Sequence, residues 1–137
     1  MTRSSEGFCE IEHTADWELE VWGPDVEALF NQAALGMFSL LGVRLTAGRR
    51  NQRSMALQAP DSETLLVDFL NELLFLADTE GFAPDRMDLT IRGGHLDAVI
   101  EGAPIAERSK EIKAATFAGL EIRRGERGFE TKVVFDV

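Results

Sequence analysis

The stretch "CEIEHTADWELEV", residues 9–21, gathers Glu10, Glu12, His13 and Asp16 into seven positions beside an alternating apolar run. Asp16 stands between two strand-like runs, where an Asx side chain commonly closes a turn on its own backbone. A second acid, Asp136, is the penultimate residue in "VVFDV", and Val137 after it carries a main-chain carboxylate. Taken alone, Asp136 reads as a solvated strand-end acid. Should Asp16 meet this end in space, three oxygen-bearing groups converge. Such hard ligands suit calcium, magnesium or manganese rather than zinc. Spacing in the sequence leaves both readings open.

The other reactive side chains point to less. His13 could act as a base or ligand, but a lone histidine beside a turn more often orients neighbouring backbone. His95 follows Gly93-Gly94 and is expected at the surface. Two histidines so far apart, with no cysteine partner, make no zinc signature. Cys9 is the single cysteine, so no internal disulfide can form. It reads as a buried thiol, because free cysteine is among the most buried residue types. The nearest imidazole, His13, would lie about 13 Å away at strand rise. "RGGHL" is a hairpin turn rather than a strand-to-helix phosphate loop. No Gly-x-Ser-x-Gly elbow occurs, and carboxylate pairs without fixed geometry are no evidence of acid–base catalysis.

The elements that must position these groups follow from periodicity. Phe8 to His13 and Glu18 to Trp22 alternate with period two and read as strands. The next segment switches to helical period, with Val26, Leu29, Phe30, Ala33, Ala34, Met37, Phe38 and Leu41 on one stripe. Pro24 suits the first turn, Asp25 and Glu27 complement the positive helix end, and Gly42 is a stop. "RSMALQA" is a third strand. A second helix runs from a cap at Asp61 or Ser62 to Gly81, with an apolar stripe wide enough to be covered on more than one side. "MDLTIRGGHLDAVIEG" reads as a hairpin around Gly93-Gly94. The remaining chain reads as strands, with a turn near Gly125 to Gly128 and a final strand in "TKVVFDV". The expectation is an α+β fold: one two-layer domain over residues 1–137, with two main helices packed on a largely antiparallel sheet of about seven strands.

Composition narrows the classes. The 137 residues fit one core, and 45% are hydrophobic. No apolar run approaches the roughly 18 residues of a membrane helix, and "MTRSSEGF" lacks a signal-peptide segment, so a cytoplasmic protein is expected. A formal charge of −10, from 24 acids against 14 lysines and arginines, argues against a general nucleic-acid binder. The doublets Arg49-Arg50 and Arg123-Arg124 read as solvated charge. A strong negative field instead favours a basic partner protein or a captured cation.

Taken together, "EHTADWELEVWG", "ALFNQAALGMFSLL", "LLVDFLNELLFLADTEGF", "EIKAATFAGLEI" and the terminal "VVFDV" resemble the archease family, from about Gly7 to Val137 and in the family's order. The resemblance implies a non-catalytic protein factor. It would activate an RtcB-type RNA ligase in tRNA splicing and RNA repair, promoting the ligase's guanylylation and its multiple turnover. The family's metal site falls on Asp16, Asp136 and Val137, with calcium the expected ion and magnesium or manganese also suited. Its functional lysine falls on Lys113 in "EIKAAT". His13 would support the ligands from outside them. The Arg-rich "LTAGRRNQRSM" and the segment "GAPIAERSKEI" depart from the family pattern without touching these residues. Two alternatives stay open: a small metal-dependent phosphohydrolase using the same carboxylates, and a chaperone-like modulator of RNA-processing enzymes.

Overall fold

The computed structural model describes residues 5–11 and 17–137. Asp16, His13 and Glu12, on which part of the sequence reading rests, lie outside the described residues. Two helices alternate with nine strands among the described residues, and every strand pairing there is antiparallel.

The chain enters through β1 (Gly7–Ile11) and β2 (Trp17–Gly23), then α1 (Val26–Leu41). Asp25 caps α1, its carboxylate accepting the Ala28 N–H at 2.7 Å, and Gly42 closes it in the left-handed conformation. Next come β3 (Arg44–Leu45), β4 (Asn51–Gln58) and α2 (Ser62–Glu80). Of the two cap candidates, Asp61 takes the role by accepting the Thr64 N–H at 2.7 Å. This bond holds the Asp61 carboxyl below its ordinary pKa, because the ionised form is the better acceptor.

β5 (Phe82–Arg92) and β6 (His95–Glu107) form the expected hairpin. Gly93 and Gly94 both have positive φ, 54° and 77°, the backbone a tight two-residue turn requires. β5 starts five residues earlier than the alternating run "MDLTIR", at Phe82. Pro84 lies within it, and the ladder absorbs the misfit as an irregularity between Pro84 and Arg86. β7 (Ala114–Thr116), β8 (Arg123–Gly125) and β9 (Gly128–Asp136) complete the chain.

The α+β class with two helices on antiparallel strands holds, and the strands divide between two sheets. One runs β1-β2-β9-β7, with β8 also on β9. The other centres on β6, flanked by β3, β4 and β5. Both helices pack between them and share one apolar cluster, in which Phe30 and Phe69 meet with ring centroids 5.8 Å apart. The width of the α2 stripe is explained, for it contacts β4, β5, β6, β7 and α1.

Cys9 corrects the sequence reading, because its thiol is exposed. In β1, Phe8 pairs with the buried Val21 and Cys9 with Glu20. Strand alternation therefore turns Phe8, itself 37% exposed, towards Gly36 of α1 and the cysteine to the opposite face.

Candidate functional site

Strands β2, β9 and β7 end together. β2 opens at Trp17, which pairs with Phe135, and β7 opens at Ala114, which pairs with Asp136. The residue before Trp17 in the chain is Asp16, and the residue after Phe135 is Asp136. Lys113 belongs to the same corner, since its backbone N–H donates to the Asp136 carbonyl at 2.8 Å. Asp136 and Lys113 are exposed, and Val137 is 38% exposed. Neither the Asp136 carboxylate nor the Lys113 ammonium has an ion-pair partner among the described residues.

The corner is held from beneath. Phe135 is fully buried, and Ile112 is 2% exposed just before Lys113. Asn71, in the middle of α2, reaches across to β7 with both ends of its amide. Its Nδ2 donates to the Ala115 carbonyl at 3.2 Å, and its Oδ1 accepts the Ala115 N–H at 2.8 Å. An edge strand leaves such groups without a ladder partner, and one side-chain amide satisfies both. The Thr116 hydroxyl adds a bond to the Val134 carbonyl at 3.0 Å. On the other side of the corner, the Lys110 ammonium sits 5.0 Å from the centroid of the Trp17 ring. Sequence reasoning missed Asn71 and Lys110. Asn71 did leave a signal: a poor helix former placed within the apolar run "LLVDFLNELLFL".

The described part of the site fits a hard cation. Asp136 offers carboxylate oxygens with no ion-pair partner among the described residues, at the end of the β7–β9 ladder, and Val137 adds main-chain oxygen. No group of three or more metal-binding side chains occurs among the described residues, which exclude Asp16. His95 lies elsewhere, exposed at the start of β6 and 3.1 Å from the Asp97 carboxylate.

A small α+β fold of two helices packed on antiparallel sheets, with an acidic strand-end corner, defines the class of protein. Comparison with known proteins makes this specific. The archease protein family matches residues 8–137, and the chain belongs to that family. It is 31% identical to the protein archease of Methanosarcina barkeri, across the whole of both chains. It is 32% identical to that of Methanothermobacter thermautotrophicus, covering 96% of this chain and 99% of the relative. Among solved structures it resembles one from Thermotoga maritima described as an archease and possible chaperone. There the TM-score is 0.70 at 29% identity, covering 93% of this chain and 94% of that one. A solution structure from Methanobacterium thermoautotrophicum gives the same TM-score at 27% identity, covering 96% and 99%. No described helix is long and apolar enough to cross a membrane.

Proposed function

We propose that this archease is a non-catalytic activator of an RtcB-type RNA ligase, acting through a divalent cation held by Asp16, Asp136 and Val137. One observation carries the reading. The β2–β9 register sets Trp17, the successor of Asp16, against Phe135, the predecessor of Asp136. Two acids more than a hundred residues apart in sequence thereby flank one paired rung of a ladder.

The chemistry follows from the residues. Asp136 and Asp16 supply hard carboxylate oxygens, and Val137 supplies main-chain oxygen. A bound divalent cation would neutralise charge on phosphoryl oxygens. Lys113, anchored through its backbone to Asp136, extends from the same corner an ammonium with no ion-pair partner among the described residues, and can meet a phosphate as a point charge. Docked at the ligase's nucleotide pocket, these groups align GTP for attack by the ligase and so favour its guanylylation. The ligase, in tRNA splicing or RNA repair, performs the covalent chemistry. With a charge of −10, this protein contacts the ligase rather than the RNA.

The test is multiple-turnover ligation with the cognate RtcB-type ligase limiting, in GTP and calcium, magnesium or manganese. Intact protein should sustain turnover. Asp136→Ala and Asp16→Ala should reduce it at least tenfold with unchanged thermal unfolding, and Lys113→Ala should reduce it with cation binding retained. Full activity of both aspartate variants would overturn the metal-site reading. No stimulation of a ligase competent for one turnover would overturn the activator reading. A second reading, a chaperone-like module, draws on Phe75 and Phe117, which are 57% and 53% exposed. It requires broad stabilisation of RNA-processing enzymes, independent of Asp136.

A further inference from the structure

β4 is a free edge. Its eight residues pair only with β6 among the described residues, in unbroken register from Asn51↔Gly102 to Gln58↔His95. It contains no proline and no bulge, two of the devices by which edge strands are blunted, and its one charged residue is Arg53. α2 follows it after a short turn and runs back alongside it, so that Glu80 at the helix end meets Arg53 near the strand start, at 2.6 Å. Between strand edge and helix lies an open groove of about 340 Å³, lined by Arg53, Met55, Leu57, Glu72 and Leu76.

Two features of this groove call for an occupant of defined chemistry. The Arg53 guanidinium stacks 4.7 Å from the Phe82 ring centroid, but its buried Nε has no acceptor among the described residues. α2 carries five acids, Glu63, Asp68, Glu72, Asp78 and Glu80, and no lysine or arginine. Three of these are engaged within the fold, by the Ile122 N–H, Arg108 and Arg53. Asp68 and Glu72 have no such partner among the described residues, and Glu72 lines the groove beside Leu76, one turn from the exposed Phe75.

We infer that this groove binds an extended basic segment of a partner protein, which adds to the β6-centred sheet as a strand beside β4. Main-chain bonds to the free edge supply affinity, and alternate side chains select the partner. Aliphatic residues lie on Met55, Leu57 and Leu76, and a lysine or arginine meets Glu72. A second copy of this chain is disfavoured, since two-fold pairing of β4 would bring two acidic α2 helices side by side. The corner at Asp136 and Lys113 plays no part in this inference, which stands or falls apart from ligase activation.

The experiment is amide-resonance mapping of the full chain with two capped eight-residue peptides, one alternating valine with lysine and the other valine with glutamate. The basic peptide should shift amides of β4 and of α2 from Glu72 to Leu76, saturably. Glu72→Lys should weaken the basic peptide about threefold and strengthen the acidic one. Asp88→Lys, the same charge change at an exposed position on β5, should leave the mapped shifts in place. Equal binding of both peptides, or shifts scattered over the acidic surface and equally sensitive to both substitutions, would overturn the proposal. So would β4 shifts that grow with protein concentration alone, for they would make a second copy the occupant.

Discussion

Two edge strands flank α2 and are treated in opposite ways. β7 is three residues long, and Asn71 takes both the N–H and the carbonyl of its central residue. β4 is eight residues long, and only β6 pairs with it among the described residues. The short edge is closed by a side chain, and the residue just before it, Lys113, is thereby held against Asp136. The long edge is open and bordered by an apolar and acidic groove. A fold can thus use one helix both to fix a chemical corner and to leave a template for pairing. The difference lies in whether the helix offers an amide or a carboxylate to the neighbouring strand.

The contrast can be broken first at the closed side. Phe135→Ala removes a fully buried ring from the strand that carries Asp136, and should cost about 3–5 kcal/mol in urea unfolding. Asn71→Ala leaves two backbone groups of Ala115 without a partner, and should cost about 2 kcal/mol. Hydrogen exchange at Ala115 and Lys113 should then accelerate while β4 is unaffected. If Asn71→Ala left that exchange unchanged, the closure of β7 would not depend on the amide. At the open side, Met55→Ala truncates a half-buried side chain with one flank in the groove. It should cost only about 1 kcal/mol, because less area returns to water.

The smallest effect concerns the start of the shared helix. The Asp61 carboxyl has its pKa lowered in the folded chain by its bond from Thr64. Its contribution is therefore fully present above the ordinary carboxylate pKa of 3.8, and is lost as pH falls through the lower folded-state value. Asp61→Asn should lower the melting temperature slightly at neutral pH, with the difference closing in acid. A difference that persisted unchanged to the lowest accessible pH would show that the charge at this cap is immaterial.

Local chemistry was legible in the sequence, and long-range pairing was not. Gly42, and Asp61 with Gly81, marked helix ends in the sequence, because caps and left-handed stops are set by adjacent residues, whereas Asp25, read as a first-turn acid after Pro24, is itself the cap of α1 and leaves Pro24 outside the helix. Gly93-Gly94 marked its hairpin for the same reason. The start of β5 was hidden because Pro84 argues against a strand, and only the ladder irregularity reconciles the two. Cys9 was assigned to the wrong face, since its residue type favoured burial while strand parity turned Phe8 towards α1. The division into two sheets depends on β9 joining β2, a choice no local pattern encodes. For the candidate site, Asp16, Asp136 and Val137 were open candidates by residue type, and family likeness joined them into one site and added Lys113. The meeting of Trp17 with Phe135 and of Lys113 with Asp136 came from the structure. Asn71 was missed because its role lies in what it touches across the sheet edge.

The pairing of Trp17 with Phe135 also governs the order of assembly. The two residues are separated by 118 positions, 135 minus 17, so this rung closes one of the longest loops in the chain. During synthesis, β2 emerges early and must wait with its β9 side unpaired until more than a hundred further residues have been made. The β5–β6 hairpin and both helices can form before then. The corner that carries Asp136 and Lys113 therefore forms only after the helices and the β5–β6 hairpin can exist. A nascent or truncated chain lacking β9 would have a helix-rich, partly sheeted body and an exposed sticky strand, but no corner.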